Sequence, residues 1–203
     1  MASAPQEEKK EEKIPGRFYS CETVLKSTWE CVVHALWRRY PNPYSKHVLS
    51  EDVVSRRSEK NILRSKRLLS KTNKAPKWIE KFIGGAGQAA FVIEESIVDS
   101  STRTFTTHTR NINFTKLLSI EEKCTYYTCP EDNSWTCCRK QAWIRSGLMG
   151  LSRAVEKFGV ERYKKNAKKA EAGLVTVIER LFYVPSFSDT PTKPRPHSVS
   201  AHN

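Results

Sequence analysis

The feature that most constrains this chain is a change of period near residue 147. Strand-like stretches rich in β-branched and aromatic residues follow one another at 88–99, 101–112, 117–129 and 134–146. Short turns around Asp99–Ser101 and Glu131–Asn133 join them. From Leu148 to Val184 the apolar residues recur at helical spacing instead. Upstream, RFYSCETVLK (17–26) reads as a strand and STWECVVHALWRRY as a helix capped by Ser27 and ended by Pro41. HVLSEDVVSRR (47–57) and ILRSKRLLSKT (62–72) read as two further strands. The order is strand, helix, six strands, long helix.

Sequential antiparallel strands cannot cover both their faces, so the long helix is expected on the concave side of a curled sheet. The fold class is α+β: a curved antiparallel sheet of about seven strands gripping a long C-terminal helix, with a cavity between them. Strand 101–112 supports a polar cavity, because neither face is clearly apolar: Thr102, Thr104 and Thr106 point one way, Arg103, Phe105 and Thr107 the other. An edge strand accounts for that pattern equally well.

The 203 residues, 38% hydrophobic and 28% charged, suit one domain with loose ends. Residues 1–16 read as a solvated extension without the apolar region of a secretory signal, and 185–203 as a Pro/Ser-rich tail. The domain between them runs over 17–184. No run is long and apolar enough for a membrane-spanning helix. A net charge of +13 favours acidic partners, either nucleic acid or an anionic membrane surface.

The six cysteines fit no zinc spacing, so no metal is expected; they read as reduced and partly buried, beside the alternative of a Cys129–Cys137 bridge across a hairpin. The five histidines form no ligand spacing. There is no GxSxG, phosphate-binding loop or HExxH, so no enzyme is expected and no cofactor is called for.

Positive charge gathers at three places. RRYPNPYSKHV (38–48) fixes its backbone with two prolines while collecting Arg38, Arg39, Lys46 and His47. On the long helix Tyr163, Ala167, Ala170, Leu174, Val177, Ile178 and Leu181 form the apolar face, and Arg162, Asn166 and Lys169 form a row along its shoulder. Lys164, Lys165 and Lys168 lie further round, toward solvent. KAPKWIEKFIGG carries Trp78 with Phe82 and Ile79 with Ile83 at helical spacing beside Lys77 and Lys81, between Pro76 and Gly84–Gly85. It reads either as a hinged amphipathic element for a membrane interface or as a surface helix packed on the domain.

RYPNPYSKHVLSEDV (39–53), RLLSKTNKAPKW (67–78), ESIVD (95–99) and RYKKNAKKAEAGLVTVIERL (162–181) together resemble the PRELI domain family over nearly all of 17–184. The version here is most similar to members that carry phosphatidic acid. The resemblance implies a phospholipid-transfer protein of the mitochondrial intermembrane space that supplies cardiolipin synthesis and is held by a small twin-CX9C partner. Phosphatidylserine transfer on the same fold is the nearest alternative, and a basic nucleic-acid-binding module the rival from another class. Headgroup contacts would fall on Arg39, His47, Arg67, Lys71, Lys74, Arg162, Asn166 and Lys169. Residues 74–87 would be the lid, with Pro76, Lys77, Trp78, Ile79, Lys81, Phe82, Ile83, Gly84 and Gly85 as its membrane contact. The cysteine-rich hairpin TCPEDNSWTCC maps to no function of that family.

A phosphomonoester carries up to two negative charges, its second pKa lying near about 6. Taking it out of water is costly unless cations and hydrogen bonds replace its hydration. Roughly thirty methylenes at about 0.8 kcal/mol each oppose passage of the acyl chains through water by something like 25 kcal/mol. A carrier of this kind therefore needs an apolar hollow with cations fixed in advance at one place.

Overall fold

The computed structural model describes residues 16–72 and 89–182. The readings made for 1–15, 183–203 and the lid segment, with Lys74, lie outside the described residues. Seven strands form one antiparallel sheet: β1 (Arg17–Leu25), β2 (Val48–Glu59), β3 (Ile62–Thr72), β4 (Ala89–Asp99), β5 (Thr104–Asn111), β6 (Ser119–Thr128) and β7 (Thr136–Arg145). Their spatial order is β1-β7-β6-β5-β4-β3-β2, so β2 to β7 run as a meander and β1 returns to pair with β7. Helix α1 (Trp29–Trp37) fills the connection from β1 to β2, and α2 (Ser152–Phe182) lies across the inner face.

Several boundaries differ from the sequence reading for local reasons. Thr28, not Ser27, caps α1, its hydroxyl accepting from the Cys31 N–H at 3.5 Å. The helix ends at Trp37, before Pro41, because Arg38 leaves helical geometry with its N–H on the Ala35 carbonyl. Strand β5 starts at Thr104: the Asp99 carboxylate accepts from the Ser101 and Thr102 N–H groups and holds 100–103 as a turn. β5 sits between β4 and β6, which removes the edge-strand reading, and Phe105 and Thr107 point inward.

The cysteine reading is corrected as well. Cys129 and Cys137 are disulfide-bonded, while Cys21, Cys31, Cys124 and Cys138 are free. Pairing of Tyr127 with Cys137, and the Cys129 N–H on the Trp135 carbonyl, bring the two Cα atoms to 5.0 Å across the hairpin end.

Apolar packing is divided. Leu25, Val32, Leu36, Phe105, Leu174 and Val177 join α1 and the end of α2 to the sheet. Ala142, Ile144 and Tyr163 form a second cluster, and Leu117 with Val155 a third. A hollow lies among them.

Two tertiary ties position its walls. The first is Asn42, whose side chain donates to the Arg39 carbonyl at 2.6 Å and accepts from the Tyr44 N–H at 2.9 Å. It thereby caps the single 3-10 turn Pro43–Ser45 that follows the cis Tyr40–Pro41 bond. Gly173 of α2 makes room for it: a Cβ there would stand 2.6 Å from the Asn42 Oδ1.

The second is a buried charge cluster. Glu94 on β4 accepts from Arg39 and from Arg67 on β3, and Arg67 also pairs with Glu51 on β2. Arg67 and Glu94 are 1% and 2% exposed. Two guanidiniums face two carboxylates, so the charge closes to zero, as burial demands. Arg56 and Arg67 both stand over the Trp37 ring, at 4.8 and 5.0 Å, fixing the end of α1 to β2 and β3.

Gly173→Ala is expected to destabilise the protein by about 1–2 kcal/mol, since displacing Asn42 outweighs alanine's helix preference of about 1 kcal/mol. Denaturant unfolding in the Asn42→Ala background checks the cause: there Gly173→Ala should cost nothing, and an equal cost in both backgrounds would contradict the contact. Burial alone would raise the Glu94 carboxyl, but Arg39 and Arg67 outweigh it and hold the group at about 2, below its ordinary 4.5. Its contribution is therefore complete above pH 4.5 and disappears as pH falls toward 2, by about 3 kcal/mol in all. Unfolding free energies at pH 6 and pH 3 should fall less steeply for Glu94→Gln than for wild type.

Candidate functional site

The hollow between the sheet and α2 is a cavity of about 340 Å³. Its apolar wall takes members of all three clusters, among them Leu36, Leu117, Tyr163 and Leu174, together with Leu69, Val92, Ile120 and Phe158. Thr107, Thr109 and Asn111 of β5 add polar atoms. The mixed character of that strand therefore belongs to a cavity wall.

Of the residues expected at a headgroup, Arg39, His47, Lys71, Arg162 and Asn166 line this one cavity. They arrive from four places: the segment just after α1, the residue before β2, the end of β3 and the middle of α2. Backbone pairing sets two of them side by side, because the Thr72 N–H donates to the His47 carbonyl at 2.8 Å and Val48 pairs with Lys71. Partial burial holds the His47 imidazole below its ordinary value, and repulsion from Lys71, Arg162 and Lys169 lowers it further. His47 is thus neutral near pH 7, in a positive field. Desolvation likewise lowers Arg162.

Arg67 and Lys169 are placed otherwise. Arg67 lies outside the cavity lining, its guanidinium taken by Glu94 and Glu51. The physical reason is the strand pleat: Arg67 stands opposite Glu94 in the β3–β4 register, on the inward face, where a lone charge would be prohibitive. Lys169 is exposed on the shoulder of α2 and reaches the site through its field on His47.

Three acidic groups in the wall escaped the sequence reading. Glu94 holds Arg39. Glu122 accepts from the Tyr163 hydroxyl, whose pKa is raised by burial and then by Glu122. Glu171 pairs with Lys140 at 3.1 Å. Lys140 is 7% exposed; burial opposes its charge, and Cys138 and Glu171 outweigh that and raise it. A signal was present in the sequence for Glu94 and Glu122 alone: each is a carboxylate in a strand on the side that alternation turns inward.

Among the described residues a ligand set is formed only by Cys129, Glu131 and Cys137, and its sulfurs are joined in the disulfide. Arg39, His47, Lys71, Arg162 and Asn166 have instead the chemistry to receive an anion, with an apolar wall beside it for a hydrocarbon chain.

Comparison with known proteins bears on this arrangement. The PRELI-like family matches residues 30–183. PRELI domain-containing protein 1, mitochondrial, from Gallus gallus is 45% identical over 82% of this chain and 78% of its own length. The human protein of the same name is 43% identical over 81% and 76%, and protein UPS1, mitochondrial, of Saccharomyces cerevisiae is 35% identical over 78% and 90%. Among solved structures, TTHA0849 from Thermus thermophilus matches with a TM-score of 0.56 at 14% identity, covering 82% of this chain and 99% of its own. The Zhui aromatase/cyclase matches with a TM-score of 0.55 at 10% identity, over 81% of this chain and 94% of its own. These two show the fold alone, a sheet curled around a long helix. The chain belongs to the PRELI-like family, a family of lipid-transfer proteins.

Proposed function

We propose that this protein carries phosphatidic acid between the outer and inner mitochondrial membranes and so supports cardiolipin synthesis. The observation that carries the reading is the meeting, in one cavity, of an apolar wall with Arg39, His47, Lys71 and Arg162. In it, Lys71, Arg162 and Asn166 take the phosphate oxygens and Lys169 adds long-range attraction. His47 gains a proton as the anion arrives, because a nearby negative charge favours the imidazolium. The acyl chains lie along Leu117, Ile120, Phe158 and Leu174. The Asn42 cap and the Glu94 pair hold the turn and Arg39 in place, so little ordering remains to be done on binding. No bond is made or broken in this cycle.

The mitochondrial names of the relatives support the organelle. The intermembrane space, the twin-CX9C partner as heterodimer and the collection of cargo at anionic membrane surfaces belong to the same proposal. Arg67 keeps a supporting role in it, since its burial in the charge cluster commits it to Glu94 and Glu51.

Transfer of labelled lipid between vesicles tests the reading. Wild type should move phosphatidic acid at least tenfold faster than phosphatidylcholine, an advantage worth about 1.4 kcal/mol. Lys71→Glu with Lys169→Glu, at two sites outside the core, should abolish that advantage while leaving the circular dichroism unchanged. A folded double variant with wild-type transfer would contradict the site. Faster movement of phosphatidylserine would transfer the proposal to that lipid, and nucleic acid rather than phospholipid in a solvent extract of the purified protein would end it.

A further inference from the structure

We infer that Glu94 is a resident counter-anion of the cavity, competing with the cargo's phosphate for Arg39 and setting how fast an acidic lipid leaves. The inference rests on the function proposed above and gives Glu94, which there only holds Arg39 in place, a second role. Glu94 lines the cavity beside Arg39 and is 2% exposed, so its charge is not screened by bulk water. One of its oxygens accepts from Arg39, while the other accepts from Arg67, including the Nε–H at 3.1 Å. Arg67 is itself tied to Glu51. The carboxylate is thus anchored from behind and has no freedom to turn away when a second anion enters.

Arg39 is the less buried of the two arginines that Glu94 holds. Its side chain is 18% exposed, against 1% for Arg67. Its Nε is buried without a hydrogen-bond partner among the described residues and one terminal nitrogen is committed to Glu94, so a headgroup meets the guanidinium only from the side that lines the cavity. A phosphate taken up there shares a guanidinium with a fixed carboxylate. Two anions at that separation repel one another. The repulsion is strongest for a headgroup of net negative charge. In a zwitterionic lipid the single phosphodiester charge is offset by the lipid's own cation, so the Arg39–Glu94 pair is disturbed far less.

Such a device suits a carrier, which has to release what it binds. Cations alone would hold a dianion too firmly for delivery. A fixed negative charge beside them lowers affinity for the charged cargo without loosening the walls that hold its chains. Glu94 acts through Arg39 and is a positioning residue as well as a competitor, and the two roles predict opposite outcomes. If orientation of Arg39 dominates, removing the carboxylate weakens binding. If competition dominates, removing it strengthens binding.

The test loads purified protein with fluorescent phosphatidic acid, or with fluorescent phosphatidylcholine, and follows release into phosphatidylcholine vesicles. Glu94→Gln should slow release of phosphatidic acid about tenfold and leave phosphatidylcholine release unchanged. Glu94→Asp, which keeps the charge, should stay within about twofold of wild type. Should Glu94→Gln not fold alone, Glu94→Gln with Arg67→Met removes both charges of the buried pair and carries the same expectation. Unchanged or faster release of phosphatidic acid overturns the inference, and so does equal slowing of both lipids, which marks a change of packing. If wild type takes up no phosphatidic acid, the proposed function fails and this inference with it, an outcome distinct from uptake with unaltered release.

Discussion

A charge can be kept inside a protein only if something of opposite sign is kept beside it, and the cavity end of this fold is built around that requirement. Arg67 and Glu94 are nearly without solvent, and neither is tolerable there without the other. Their pairing joins β3 to β4, extends to β2 through Glu51, and reaches the end of α1 through Arg39. Three consecutive strands and the segment that follows α1 are thereby fixed around one place. The Trp37 ring, held by Arg56 and Arg67 and stacked on Phe105, links the same place to the apolar core.

From that place the rest of the site follows. The chain leaving Arg39 turns at once through Pro41 and Pro43, and Asn42 closes the turn against Gly173. His47 emerges next to Lys71, and the middle of α2 brings Arg162 and Asn166 opposite them. The cationic groups differ in what already satisfies them. Arg39 is balanced by a carboxylate, whereas His47 is lowered by burial and by the positive field of its neighbours. Under the proposed function an arriving anion relieves the second condition and disturbs the first. Affinity in such a site is a difference between two electrostatic effects rather than a sum of attractions.

The architecture could be read from the sequence because its cause is periodic. Alternation along β3, β4 and β7 and helical spacing in 152–182 survive in the burial of individual residues, down to Leu174 and Val177 on the inner face of α2. Of the cavity lining, Arg39 and His47 around the turn and Arg162 and Asn166 of the shoulder row were legible, since prolines and helical spacing are local signals, while Lys169 of that row is exposed outside it. The partners were not. Glu94 lies 55 residues from Arg39 and 27 from Arg67, and nothing local marks a strand glutamate as the counter-ion of either. For the same reason Arg67 looked like a ligand-binding cation, while its neighbours across the sheet make it a structural one. Gly173 matters only because Asn42 stands against it, and the Cys129–Cys137 bond only because the hairpin register brings the two together.

Carriage of this kind requires lipid chains to occupy the space between sheet and helix. Photo-crosslinking with phosphatidic acid that carries a diazirine in one acyl chain, followed by peptide mapping, measures this directly. Label on the cavity-lining residues Val92, Leu117, Ile120 and Leu174 is the predicted result. Label confined to the outer-face residues Phe18, Val24 and Trp143, with the inner face unmodified, would contradict it.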